Sequence, residues 1–266
     1  MKDHVLNTIL DETASAAAEL VLRREGIKLV TGHTVTEISG LEKVSGVTLD
    51  DGSKIPCEMV IVAIGVVPRV ELARDAGLKI NRGIIVDRQM RTSATDIYAC
   101  GDASEAYDYI TDSNHPIPIW PNAYIGGRAA GYNMAGRITE YPGGTAMNSI
   151  NYFGIDISSA GLIASPDDGH YSTLAQRIDA VYRKVILRDG IVKGMIFVKD
   201  IDRSGLVFGL MRDGTDVSEF QDSLIRDDFG LAHLPASLRL QHLGALGAGQ
   251  HIVPLREEEE QPIAGE

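Results

Sequence analysis

The chain has 266 residues, of which 44% are hydrophobic and 23% charged, and a formal net charge of −12. This composition excludes a disordered or fibrous protein, and the length suffices for two packing units with separate cores. The acidic balance argues against a nucleic-acid partner, which would need clustered Lys and Arg, and part of it lies in a closing acidic run at residues 256–261.

Residues 11–26 read as a helix, because Ala14, Ala17, Ala18 and Val21 recur on one face, with Asp11 as N-cap and Gly26 as the stop. The period then changes. "IKLV", "HTVTEI" and "KVSGVTL" are β-rich, and Asp50-Asp51-Gly52 signals a tight turn, so a small meander is expected. "EMVIVAIG", ending at Gly65, is nearly continuous in apolar residues and reads as a strand buried on both faces. Pro68 prevents its continuation, a short helix over residues 70–76 is closed by Gly77, and "GIIVD" returns to strand.

"DIYACGD" reads as another buried strand, ending in Gly101-Asp102. Residues 122–136 form a helix rich in small residues, where Gly127 and Gly131 allow close approach to a neighbouring element. "YPGG" at residues 141–144 reads as a linker. Beyond it, "MNSINYFG" and "IDISSAGLI" read as strands, and "AVYRKVIL" and "IVKGMIFV" around Arg188-Asp189-Gly190 form a strong hairpin signal. Helices are expected over residues 202–211 and 217–225.

Cys57 and Cys100 form neither a redox Cys-x-x-Cys pair nor a metal cluster, and no metal site is expected. A cytoplasmic location follows from this, from the lack of an apolar run of membrane-span length, and from an N-terminus unlike a signal peptide. The seven histidines are scattered and read as surface or packing residues.

The stretch "TSATDIYACGD" carries Thr92, Ile97, Tyr98, Ala99, Gly101 and Asp102 in the register T-x-x-x-x-[IV]-[YF]-A-x-G-D. It resembles the second flavin-binding fingerprint of the FAD-dependent pyridine nucleotide-disulfide oxidoreductase superfamily. That resemblance implies that Asp102 accepts a hydrogen bond from the flavin ribityl chain, and that Gly101 lets the backbone pass close by. Read without it, Gly-Asp is a strand exit with a self-capping Asp.

"VIVAIGVVPR" resembles the family's strand leading out of the nicotinamide domain, which would put Gly65 and Pro68 near the nicotinamide entry. "WPNAYIGGRAAGYNMAG" resembles the helix whose N-terminus approaches the flavin pyrimidine. That makes Trp120, Pro121, Asn122 and Ala123 candidates for its wall, with core packing the competing reading for Trp120. "YRKVILRDGIVKGMIFVKDIDRSGLVFGLMRDGTDVSEF" is similar to the C-terminal domain of NADH:rubredoxin reductases and of the reductase portion of assimilatory nitrite reductases. The His-Glu pair of disulfide-reducing relatives is missing, which favours a redox centre as electron acceptor.

The resemblance implies a partial α/β architecture: FAD/NAD(P)-binding Rossmann-like domains followed by a small α+β domain. Residues 1–65 would be the C-terminal part of an NAD(P)-binding domain and 66–141 that of an FAD-binding domain. Residues 145–230 would be the small domain and 231–266 a mobile acidic tail. The G-x-G-x-x-G turns that hold the FAD pyrophosphate and the nicotinamide nucleotide are missing; the glycine clusters at 126–127 and 244–249 lack that spacing.

The chain therefore reads as the C-terminal part of a flavoprotein oxidoreductase. Electrons would pass from NAD(P)H through FAD to a small redox protein or domain, such as rubredoxin or a nitrite reductase centre. No residue is an obvious acid–base catalyst, and the chain alone is expected to be inactive although its full-length parent is an enzyme. The other reading is a non-catalytic subunit completing another chain's flavin site. A Rossmann half without its first βαβ unit would expose a sheet edge and apolar surface, so poor stability alone, a homo-oligomer or a split-enzyme partner is expected. No nucleic acid or membrane partner is expected.

Overall fold

The computed structural model describes residues 3–245 and divides into two units, Met1–Asp227 and Asp228–Glu266. In the first, helix α1 spans Glu12–Arg24. Asp11 caps it in extended conformation, its side chain accepting from the Ala14 N–H at 3.0 Å. Gly26 at φ +80° follows its C-terminal end. Leu10, Ala14, Ala18 and Leu22 recur every fourth residue and are buried, the spacing of one helical face. Leu10, Ala14 and Ala18 share a core with Ile155, Ile157, Tyr182, Ile196 and Val198.

The expected meander forms from β1 (Val35–Ser39), β2 (Gly46–Leu49) and β3 (Lys54–Pro56), paired antiparallel in chain order. A turn at Asp50-Asp51-Gly52 joins β2 to β3, with Gly52 at φ +82°. Helix α2 (Glu71–Asp75) is short, and Gly77 at φ +74° follows it.

A second small sheet holds β4 (Ile84–Ile85), β5 (Ser104–Asp108) and β6 (Ser113–His115). β4 runs parallel to β5, with Ile84 opposite Ser104, and β6 runs antiparallel, with His115 opposite Ala106. Helix α3 (Trp120–Met134) follows, with Pro121 in its first turn, where a missing N–H costs nothing. Val86, Met90, Ala129, Ala130 and Tyr141 form the core here.

The largest sheet is antiparallel, in the order β7-β8-β11-β10-β9. Its strands are β7 (Met147–Tyr152), β8 (Ile155–Gly161), β9 (Tyr171–Ile178), β10 (Val181–Arg188) and β11 (Ile191–Val198). Asp189 and Gly190, both at positive φ, close the β10–β11 hairpin, the backbone requirement of a type I′ turn. Helix α4 (Ser204–Arg212) packs on β11, burying Val207, Leu210 and Met211. The second unit contains a 3-10 turn (Leu231–His233) and helix α5 (Ala236–Ala245).

Several expectations are corrected. "EMVIVAIG" forms no strand, and Ile61 and Ile64 are 83% and 91% exposed. Its composition specifies burial on two faces, but among the described residues no strand pairs with it. "IKLV" is likewise outside any strand, with Ile27 and Val30 exposed. "DIYACGD" contributes an isolated bridge between Tyr98 and Arg91 and then a 3-10 turn, with Ile97 exposed. β9 and the β5–β6 hairpin were not anticipated.

The helix expected over 217–225 is reduced to a 3-10 turn at Gln221–Ser223. Asp216 instead accepts from the Ser218 N–H at 2.9 Å, a local bond that competes with helix. "YPGG" is no loose linker: Tyr141, Gly143 and Gly144 are buried, and Gly144 exchanges backbone bonds with Tyr107 and Tyr109. Gly131 faces open space, and it is Gly126 and Gly127 that approach neighbours, Met90 and Cys100. Of residues 231–266, expected as a mobile acidic tail, Leu231–His233 form a 3-10 turn and Ala236–Ala245 a helix, and residues 246–266 lie outside the described residues.

Candidate functional site

The Gly-Asp pair sits in a 3-10 turn, Gly101–Ala103, that runs directly into β5. Gly101 has φ +74°, a conformation a side-chain-bearing residue adopts only with strain. Its Cα faces the first turn of α3, where a Cβ would stand 3.7 Å from Ala123 Cβ. One backbone conformation thus aims Asp102 outward while the strand packs beneath the helix N-terminus.

Gly101, Asn122 and Ala123 line one small cavity together with Ser104, His115 and Tyr141. Asn122 is held by its Nδ2 donating to the Thr145 carbonyl at 3.3 Å. Ile119, the N-cap of α3, makes no side-chain capping bond. The first turn therefore presents N–H groups without intrahelical acceptors, an arrangement that favours negative charge. Trp120 is 85% exposed, so core packing does not explain it, and Pro121 beside it is exposed as well.

Asp102 and Pro68 line a second cavity, of about 340 Å³, together with Val66, Val67, Arg69 and Arg82. Gly65 lies just upstream on the exposed run at φ +95°. Among the described residues the Asp102 carboxylate makes no hydrogen bond or ion pair. It does not cap its own turn: the hydroxyl that donates to the Gly101 carbonyl, at 2.9 Å, is that of Ser104. The sequence-derived candidates thus divide into Gly101, Asn122 and Ala123 around one cavity and Pro68 and Asp102 around another. Trp120 and Pro121 lie on the exposed helix start.

A free carboxylate acceptor beside close backbone and a helix N-terminus suits a polyhydroxylated ligand with a negatively charged head, and the residues present fit a flavin. Cys100 packs toward α3, where a Cβ on Gly127 would meet its Sγ at 3.8 Å, and burial raises its thiol above the usual value.

Sequence reasoning missed two features. Asp108, buried at the far end of β5, accepts from the Ile110 N–H at 2.8 Å and lies 3.2 Å from His115 Nε2. Burial, followed by this nearby carboxylate, pushes Tyr109 and Tyr141 up to about 12. Arg69 and Arg82 were also missed, because isolated arginines carry no pattern; the structure brings both to the cavity that Asp102 lines.

Residues 1–127 match the family model "Pyridine nucleotide-disulphide oxidoreductase", and residues 147–215 match "Rubredoxin NAD+ reductase C-terminal domain". The chain is 29% identical over 226 residues to the assimilatory nitrate reductase electron transfer subunit of Bacillus subtilis, covering 84% of this chain and 28% of that protein. It is 36% identical over 136 residues to a rubredoxin-NAD(+) reductase of Alcanivorax borkumensis, covering 51% of this chain and 34% of that protein. A crystal structure of an FAD-dependent pyridine nucleotide-disulphide oxidoreductase from Desulfovibrio vulgaris superposes with a TM-score of 0.73 at 25% identity, covering 83% of this chain and 58% of that one. The fold is thus that of this oxidoreductase family, and the chain spans from about a quarter to somewhat over half the length of these relatives.

Proposed function

Since the chain carries a pyridine nucleotide-disulphide oxidoreductase segment followed by a rubredoxin NAD+ reductase C-terminal domain, we propose that it is the C-terminal part of a flavoprotein that takes electrons from NAD(P)H. FAD and NAD(P)H are the cofactors of this family, and FAD supplies the means of accepting a hydride and releasing electrons onward. The electron acceptor is a small redox protein or domain, of which rubredoxin and a nitrite reductase centre are the leading candidates. A cytoplasmic location accords with this chemistry, and no helix among the described residues is long and apolar enough to cross a membrane.

The observation that carries the proposal is the unpartnered Asp102 carboxylate beside Gly101 at φ +74°, next to the start of α3. Asp102 holds the ribityl hydroxyls, and Gly101 permits the close approach. Trp120, Pro121, Asn122 and Ala123 border the flavin ring, with the helix start favouring negative charge at its pyrimidine end. Gly65 and Pro68 lie toward the nicotinamide. By domain, residues 1–65 complete a nicotinamide-binding domain, 66–141 a flavin-binding domain, and 145–230 the small domain that meets the acceptor.

Flavin binding, read by fluorescence quenching, tests the assignment. Asp102→Ala weakens retention by roughly 10- to 100-fold, the scale of one hydrogen bond to a charged group. Unchanged retention removes Asp102 from the site, and no flavin binding by the chain together with its supplementary N-terminal half removes the proposal. The exposed run at residues 59–67 favours a second reading, in which the chain completes a flavin site held jointly with another polypeptide.

A further inference from the structure

From residue 113 to residue 139 the sequence holds no Asp or Glu, although the chain carries 37 of them. Helix α3 occupies most of that stretch and has two distinct faces. Gly126, Ala129 and Ala130 are buried on the inner one. Asn133 anchors the helix end: its Nδ2 donates to the Gln89 carbonyl at 3.0 Å and to the Thr139 carbonyl at 2.6 Å, and its Oδ1 accepts from the Thr139 N–H at 2.9 Å. On the outer face Trp120, Tyr124, Arg128 and Tyr132 recur every fourth residue, the spacing that sets side chains one above another.

The outer side chains hold one another in place. Arg128 lies 5.9 Å from the centre of the Tyr124 ring and 5.8 Å from that of Tyr132, and Arg137 lies 4.8 Å from that of Tyr132, within reach of cation–π attraction. Arg128 also bonds the Tyr132 hydroxyl, whose pKa it lowers. Among the described residues neither arginine is paired with a carboxylate, whereas Arg91, Arg183 and Arg212 each are. Tyr124 is 60% exposed, and Met134 and Ile138 add exposed apolar surface near the helix end. Tyrosines, tryptophan, methionine and arginine without acids are the composition of a protein–protein contact rather than of an ordinary solvated face.

We propose that this outer face of α3 docks an acidic redox protein, whose carboxylates meet Arg128 and Arg137 while its surface covers the Tyr124 and Tyr132 rings. Charge selects the partner: a stretch free of acids in a chain of net charge −12 is where an acidic surface is attracted and the remainder repels it, which fixes the docking register. Two cations are too few for a phosphate backbone. A rise of 1.5 Å per residue puts Tyr124 and Arg128 about 6 and 12 Å along the axis from Trp120, so a docked partner sits within about three turns of the helix start to which the flavin ring is assigned. That the partner is the electron acceptor rests on the flavoprotein reading above; that it is acidic does not. The face adds a contact from the flavin-binding segment to the one assigned to the small domain.

Calorimetry of the full chain with an acidic, zinc-substituted rubredoxin tests docking apart from electron transfer, because zinc takes no electrons. The native chain binds it, with affinity that falls as salt rises. Arg128→Gln, Arg137→Gln and Tyr124→Ala each weaken binding roughly three- to tenfold, and Arg128→Glu combined with Arg137→Glu abolishes it. Arg74→Gln, an exposed control on α2, changes nothing. No binding by the native chain, or undiminished binding by the charge-reversed double variant with a native circular dichroism spectrum, overturns the proposal.

Two further results also overturn it. Binding of a short DNA duplex in place of rubredoxin gives the face to nucleic acid, and loss of rubredoxin binding when the supplementary N-terminal half is added gives the face to that half. The flavoprotein reading fails separately. Rubredoxin binding by a chain that, with its N-terminal half, holds no flavin refutes that reading and leaves the docking face standing; flavin retention without rubredoxin binding does the reverse.

Discussion

Asp11 joins parts of the chain 171 and 173 residues apart: its carboxylate accepts from the Ala14 N–H at 3.0 Å, the Tyr182 hydroxyl at 2.7 Å and Lys184 Nζ at 2.8 Å. Asp11→Ala removes a helix cap, worth about 1 kcal/mol, and a charge-assisted bond worth about 1.5 to 3 kcal/mol. Lys184 keeps its bond to the Ile163 carbonyl, but its charge is left unpaired with a side chain only 12% exposed. The expected loss is therefore about 3 to 4 kcal/mol, which lowers the urea midpoint by about 1 M or more. Asp11→Asn retains the cap and the acceptor for Tyr182 and loses the charge alone, so it falls between the two. Combined with Lys184→Met it gives a double-mutant cycle that isolates the ion pair. The reasoning fails if Asp11→Ala costs under about 1 kcal/mol, or if the cycle shows no coupling.

The pH dependence of Asp11 follows with a definite sign. Burial opposes its ionisation, but the bonds from Lys184, Ala14 and Tyr182 outweigh burial and hold the carboxyl below its ordinary value. Its stabilisation is thus complete above about pH 4, the unfolded value, and is lost as pH falls through the lower folded value.

Two further outcomes are expected. Gly101→Ala, forced to φ +74°, destabilises by about 1 kcal/mol or more and releases flavin; equal stability and flavin content would mean that this turn relaxes freely. Replacing Ile61 and Ile64 together by Glu leaves stability within about 0.5 kcal/mol, because both side chains are already exposed, and raises the monomer fraction in sedimentation. A fall in stability comparable to a core substitution would show that the run is packed in solution.

Local signals survived where the partner lay nearby in the chain. Asp11 as a cap, the turn at Asp50-Asp51-Gly52 and the hairpin at Asp189-Gly190 each rest on backbone rules that act over a few residues, and all three are present. "EMVIVAIG" failed because apolar composition records a need for burial but not whether pairing strands are at hand. The helix expected at 217–225 failed because its polar residues satisfy the backbone in a turn. At the site, Asp102 and the start of α3 could be named as candidates because each lies in a contiguous stretch, "TSATDIYACGD" and "WPNAYIGGRAAGYNMAG". Arg69 and Arg82 were illegible because separate segments bring them to one cavity, and the Asp108–His115 pair because the β5–β6 hairpin that forms it was not anticipated.

The packing of α1 has a consequence for synthesis on the ribosome. Leu10, Ala14 and Ala18 leave the ribosome long before their partners Tyr182, Ile196 and Val198, which lie near the C-terminal end of the first unit. At roughly 5 to 20 residues per second, the apolar stripe of this helix stays uncovered for roughly 10 to 35 s. During that interval the nascent chain offers a sticky amphipathic segment to whatever waits at the tunnel exit, so its yield in a cell depends on chaperone capacity and translation speed as well as on the stability of the finished fold.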